Sequence, residues 1–290
     1  MKVKSFLFIL IVLFFTNTAL AGELYSCSVP DWSLSPFARI ITNAFGCNLA
    51  AQKTAKIIIK KLLKENADGD YQIKLDSYSA VDLKRGKFKS VEIYGEDISS
   101  ENGIYVSTLS LKTLCEYNHV DYTQDPIVFY TDVPMSFSIV LSEEDLNNTL
   151  IDVGYIKKML EIDACNVPFF YLDNINFKIK HNKIYLIVQM KAPLLMGERK
   201  IKITLSGKLN VENGKIVLDN LESENLKGVN LSQFISLINK MNPFEIPLQI
   251  IKGNNSKLRV NNVRILDNKI CIDGIIVMKR SLNGQKKEEK

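Results

Sequence analysis

The stretch MSFSIVLSEEDLNNTL, residues 135–150, carries two periodicities in sixteen residues. Met135, Phe137, Ile139 and Leu141 occupy every second position, with Ser136 and Ser138 between them. That is the period of a strand with one apolar face. Ser142, Glu143, Glu144 and Asp145 interrupt it, and Leu146 and Leu150 resume at a spacing of four. Ser142 is placed to cap a helix, and the three acids suit the positive end of the helix dipole. The acids also invite reading as a metal site or as paired catalytic carboxylates. Capping accounts for each of them, and no histidine lies nearby.

The same kind of strand recurs on both sides. Residues 71–79, 86–94, 103–115 and 127–130 read as strands before it. Residues 175–180 and 184–190 follow, joined at His181, Asn182 and Lys183, and 201–205 alternates against Lys202 and Thr204. Asn213-Gly214 signals a hairpin. Residues 244–251 and 257–266 read as extended, and Asp267-Asn268 turns into a last strand over 269–279. Helical spacing predicts a long amphipathic helix from Ser35-Pro36 to Asn66, bent near Gly46. Further helices are predicted over 143–160 and 231–241. Strands in meander order, rather than strict alternation with helices, predict an α+β fold with an antiparallel sheet.

The chain of 290 residues begins with Lys2 and Lys4, an apolar run over 6–15, and Ala19-Leu20-Ala21. This is the layout of a secretory signal peptide over 1–21. An uncleaved anchor is the alternative, although a run of ten is short against the roughly 20 residues that span a bilayer. One domain over 22–280 and a polar, disordered tail over 281–290 complete the expected division. Without Lys2 and Lys4 the net charge falls from +5 to +3. That is too slight to argue for nucleic acid. Cys27, Cys47, Cys115, Cys165 and Cys271 show no C-x-x-C spacing, which disfavours zinc and dithiol chemistry. Export permits disulfides, and the pairing stays open; the simplest expectation is buried cysteines with one bridge.

Apolar strand faces must be covered, and the helices supply few stripes for many strands. One solution is a strongly curved sheet wrapped around the long N-terminal helix. If side chains leave such a tube unfilled, it suits an acyl chain, since each buried methylene is worth about 0.8 kcal/mol. A dry core is the other solution. Strand and helix parity puts Ile58, Leu62, Val91, Ile93, Leu109, Leu111, Phe137, Ile139, Phe177, Ile179, Leu186, Val188, Ile203 and Leu205 on the lipid-binding interior. The basic groups Lys60-Lys61 and Lys84-Arg85-Gly86-Lys87 are candidates for headgroup or membrane contact.

Four segments carry a resemblance. They are DLKRGKFKSVEI (82–93), GIYVSTLSLKT (103–113), VPMSFSIVLSEEDLNNTL (133–150), and the ending that contains NPFEIPL and KLRVNNVRILDNKICIDGIIVMK. Together they resemble the LmeA-like phospholipid-binding family, over roughly 43–279. The resemblance implies a TULIP-like tube with lipid inside, a phospholipid or other acyl-lipid ligand, peripheral contact with a membrane surface, and a bacterial periplasmic or cell-envelope location. The cysteines and residues 119–125 are not part of the matched pattern.

Catalysis finds little support. His119 and His181 are the only histidines, and Cys115 with His119 falls at a strand end rather than on one helix face. No G-x-S-x-G, H-E-x-x-H, P-loop or G-x-G-x-x-G occurs. No cofactor is expected. Sequons at Asn147, Asn230 and Asn254 are of the number chance supplies in an asparagine-rich chain. The expected function is non-catalytic: an exported envelope protein that holds or shuttles a phospholipid in an apolar tubular cavity. The alternative is an envelope structural or interaction protein with a dry core.

Overall fold

The computed structural model describes residues 24–44, 46–124, 127–154, 171–194, 197–223, 242–252 and 255–281. The expected signal peptide, the helix at 231–241, the distal part of the helix at 143–160, Cys165 and most of the tail lie outside them. The described chain is α+β, with antiparallel sheets throughout. Sheet I contains β1 (Ala67–Asp76), β3 (Ser90–Ser100), β4 (Tyr105–Thr113), β7 (Val133–Leu141), β12 (Ser256–Leu266) and β13 (Lys269–Met278). Its order is β1-β3-β4-β7-β13-β12, so β1 and β12 are its two edges. Sheet II has the order β11-β10-β9-β8, from β8 (Tyr171–Lys180), β9 (Lys183–Leu194), β10 (Gly197–Glu212) and β11 (Lys215–Ser223). A small sheet pairs β2 (Lys87–Phe88), β5 (Asn118–Asp121) and β6 (Val128–Phe129).

The opening stretch forms β7 and α4 (Glu143–Asp152). Met135, Phe137, Ile139 and Leu141 are all buried. Ser142 and Asp145 form a reciprocal capping box: the Ser142 hydroxyl accepts from Asp145 N–H, and the Asp145 carboxylate accepts from Ser142 N–H. The polar residues of α4 also join the sheets. Glu143 Oε2 accepts from Ile179 N–H at 3.0 Å, and Asn147 bonds both the N–H and the C=O of Phe177 at 2.9 Å. On the other side, Thr149 accepts from Tyr105 N–H, and Asp145 accepts from the Ser107 hydroxyl. Glu143 and Asp145 are therefore taken up by capping and by hydrogen bonds to β8 and β4, and Glu144 is exposed.

A second junction ties the sheets at the Asn213-Gly214 hairpin. Val260 N–H donates to Gly214 C=O at 2.9 Å, where β12 bulges between Val260 and Asn262. One apolar cluster then runs through both sheets, from Val91 and Leu109 to Ile139, Phe177, Leu186 and Leu205.

The expected long helix divides in two at Gly46. α1 covers Pro36–Ala44 and α2 covers Cys47–Asn66. Gly46 sits at φ 70°, which glycine adopts without a Cβ penalty. A short helix, α3 (Ala80–Lys84), follows β1 and had no periodic signature, being only five residues long. The extended reading of 244–251 is wrong. That segment turns into a 3₁₀ helix, Pro247–Ile250, because Pro247 sets the first helical φ. The tail reading is wrong at Ser281, which exchanges two hydrogen bonds with Phe129 of β6.

Among the described residues, no helix is long and apolar enough to cross a membrane. Among the described residues one bridge is present, joining Cys27 to Cys115 across 88 residues. The expectation of buried cysteines fails at Cys47, which is exposed.

Candidate functional site

Twelve of the positions assigned to the interior lie on strands. Val91, Ile93, Leu109, Phe137, Ile139, Phe177, Ile179, Leu186, Val188, Ile203 and Leu205 are each at most 8 % exposed, and Leu111 packs half-buried against them. The two helical choices are off by one. Ile58 is 40 % exposed and Leu62 is outside the core cluster, while Ile59 and Leu63 face the core with Ala51 and Ala55. The physical reason is the run Ile57-Ile58-Ile59, in which three consecutive isoleucines cannot share one 100° face.

That inward stripe of α2 makes a loose seam. The helix runs beside β1 for 20 residues without burying one of them. Ala51, Ala55, Ile59 and Leu63 all stay partly accessible. Near its start the seam is polar: Asn48 and Gln52 hydrogen-bond Ser77 at the end of β1.

The basic turn Lys84-Arg85-Gly86-Lys87 is built around a buried carboxylate. Asp82 accepts from Ser33 N–H at 2.6 Å and from the Ser79 hydroxyl at 2.5 Å, and Ser79 caps α3 in return. Gly86 then turns the chain at φ 74°, pressed so close to β5 that a Cβ there would meet Val120 C=O at 1.7 Å. This close approach is why the turn needs glycine.

Lys84, Arg85 and Lys87 line a pocket of about 430 Å³ together with His119, Val120, Asp121, Tyr122, Thr123 and Tyr130. The three cations differ in state. Lys87 is nearly buried and bonds both the carboxylate and the C=O of Asp31, at 2.8 and 2.5 Å. That bond is the main force holding the Asp31 carboxyl below its ordinary value. Lys84 and Arg85 are exposed at the mouth, and among the described residues no carboxylate lies within 4 Å of either. Asp121 is kept ionised by donors from Thr123, Gln124 and Tyr130. Lys60 and Lys61 are elsewhere, exposed on α2, with Lys61 3.7 Å from Glu65.

Residues 24–32 had no legible role in the sequence, and they frame this site. Trp32 stacks on Tyr78 at 4.7 Å and meets Tyr117 edge-on at 4.8 Å, while Arg39 covers the far face of Tyr78 at 3.9 Å. His119 and Tyr130 continue the row at 4.5 Å. The single tryptophan and the odd cysteine count were the signals that could have pointed here.

Among the described residues no cluster of three or more His, Cys, Asp or Glu is placed to hold a metal. No family model matches the chain, and neither does any curated protein or solved structure.

Proposed function

We propose that the protein is a non-catalytic lipid-binding protein of the bacterial cell envelope, of the LmeA-like kind, that holds and shuttles a phospholipid. The observation that carries the proposal is the seam along α2. A helix of 20 residues lies along β1 with its apolar stripe of Ala51, Ala55, Ile59 and Leu63 only partly buried, and that stripe can accept a further apolar partner. An acyl chain fits a long, narrow, apolar seam, and burial of its methylenes supplies the affinity. In the finer form of the proposal, α2 and the β1 edge of sheet I form one wall of a TULIP-like lipid site, although sheet I is open, with β1 and β12 as its edges, rather than wrapped around the helix. Lys60, Lys61, Lys84 and Arg85 then serve headgroups or a membrane surface, whereas Lys87 is taken up by Asp31. Export to the envelope is supported by the Cys27–Cys115 bridge, which oxidising compartments favour.

A second reading has an observation of its own. Apart from Leu111, the strand residues assigned to the interior retain little accessible surface, and Ile139 and Leu205 retain none. A dry core of that kind suits an envelope structural or interaction protein. Organic extraction of the purified protein followed by mass spectrometry separates the two. The lipid proposal expects about one phospholipid per chain and uptake of a fluorescent fatty acid. Absence of both selects the dry-core reading.

A further inference from the structure

We infer that α1 is a docking element for an anionic lipid bilayer, inserting Phe37, Ile40 and Ile41 while the lysines of α2 meet the headgroups. The inference deepens the proposed contact with a membrane surface, and it does not depend on cargo in the α2 seam.

α1 is oriented the wrong way round for a helix that completes a core. Its polar and small side, Ala38, Arg39 and Thr42, is the less exposed one, and Arg39 is held over the Tyr78 ring. Its apolar side points to solvent: Phe37 is 75 % exposed, Ile40 63 % and Ile41 47 %. These three lie at i, i+3 and i+4, so they form one contiguous stripe rather than scattered residues. An apolar stripe on an ordered helix marks a surface that is covered in use.

Charge selects the cover. α2 starts one residue after the Gly46 hinge and carries five lysines against a single acid, Glu65. Lys53, Lys60 and Lys64 project on its solvent side, beside the exposed Leu49 and Ile57. Lys53 is seven residues past Gly46, about 10 Å along the axis of α2. Apolar side chains beside a row of lysines are the composition that binds an anionic membrane interface. A neutral protein groove would leave the lysines without partners.

Co-sedimentation tests this with vesicles of phosphatidylglycerol and phosphatidylethanolamine, against phosphatidylcholine alone. The full protein should bind the anionic vesicles and release from them at high salt. The variant F37S/I40S/I41S should lose at least tenfold in binding, and K53E/K60E/K64E a comparable amount, with unchanged circular dichroism and an intact disulfide. A tryptophan at position 37 (F37W) should be quenched by brominated lipid more than the wild-type Trp32 signal. Unchanged vesicle binding in the serine variant would overturn the inference. So would a serine variant whose only change is loss of a concentration-dependent dimer. Lipid extracted from the serine variant reads the cargo proposal separately: retained cargo with lost docking supports both readings, and absent cargo with normal docking in the wild type sinks only the first.

Discussion

At the scale of single residues, the polar side chains of α4 carry more of the fold than their exposure indicates. Asp145 closes the capping box and also accepts from Ser107. Asp145→Ala should therefore cost more than an ordinary cap, about 2 kcal/mol by urea unfolding. Asn147→Ala should cost a similar amount, because it leaves the Phe177 N–H and C=O unpaired at the edge of β8. Gly86→Ala combines a positive φ with a backbone collision against Val120, and about 3 kcal/mol is expected, the upper end for single substitutions. The Ser142 cap was legible in the sequence because it depends on neighbours in the chain. The partners of Glu143 and Asn147 were not, because they lie 30 or more residues away. The lysine-rich turn was visible as charge, but only the structure separates Lys87, tied to Asp31, from Lys84 and Arg85, which face solvent.

At the scale of elements, the segment 24–35 behaves as a strap fastened by covalent, ionic and aromatic contacts. Reducing Cys27–Cys115, or replacing both with serine, should lower stability by about 2–4 kcal/mol, since the bridge closes a long loop. The ionic fastening is acid-sensitive. The Asp31 carboxyl titrates lower in the folded chain than in the unfolded one, chiefly through its bond to Lys87. Its contribution is therefore complete above about pH 4, the ordinary carboxylate range, and fades as pH drops through the lower folded value. Asp31 is 84 % exposed, so solvent limits the effect to about 1 kcal/mol or less. Trp32 fluorescence should show an acid transition below pH 4 in the wild type that flattens in Asp31→Asn. Strands of period two were readable one by one, as their alternation is local. The division into two main sheets was not, because strand order is set by pairings such as β7 with β13, whose partners lie well over 100 residues apart in the chain. The isoleucine triplet in α2 hid its true inward face by offering three candidates where the core accepts one.

At the scale of the whole molecule, the contrast between closely packed sheets and a loosely seated helix decides where a ligand could enter. A bulky side chain in the seam should exclude an acyl chain without disturbing the sheets. Ala55→Trp is expected to reduce co-purified phospholipid several-fold while leaving the unfolding midpoint near its wild-type value. If extraction finds equal lipid in both proteins, α2 does not border the cargo. Replacing Lys84 and Arg85 with glutamine should instead keep the lipid and weaken its transfer to anionic vesicles, followed by fluorescence dequenching.

Both extremities of the described chain converge on one corner. Lys279 Nζ lies 3.2 Å from Leu24 C=O and 2.6 Å from Asp132, and Ser281 joins β6 beside it. The first and last described residues are thus adjacent, an arrangement common in compact domains. A peptide of a few residues could splice them, and new ends could be cut at the exposed Asn213-Gly214 tip only at the expense of the Gly214–Val260 bond. A permutant opened instead at His181-Asn182 should retain every contact described above, and its recovery as a monomeric, oxidised protein would show that the order of synthesis is not what builds this architecture.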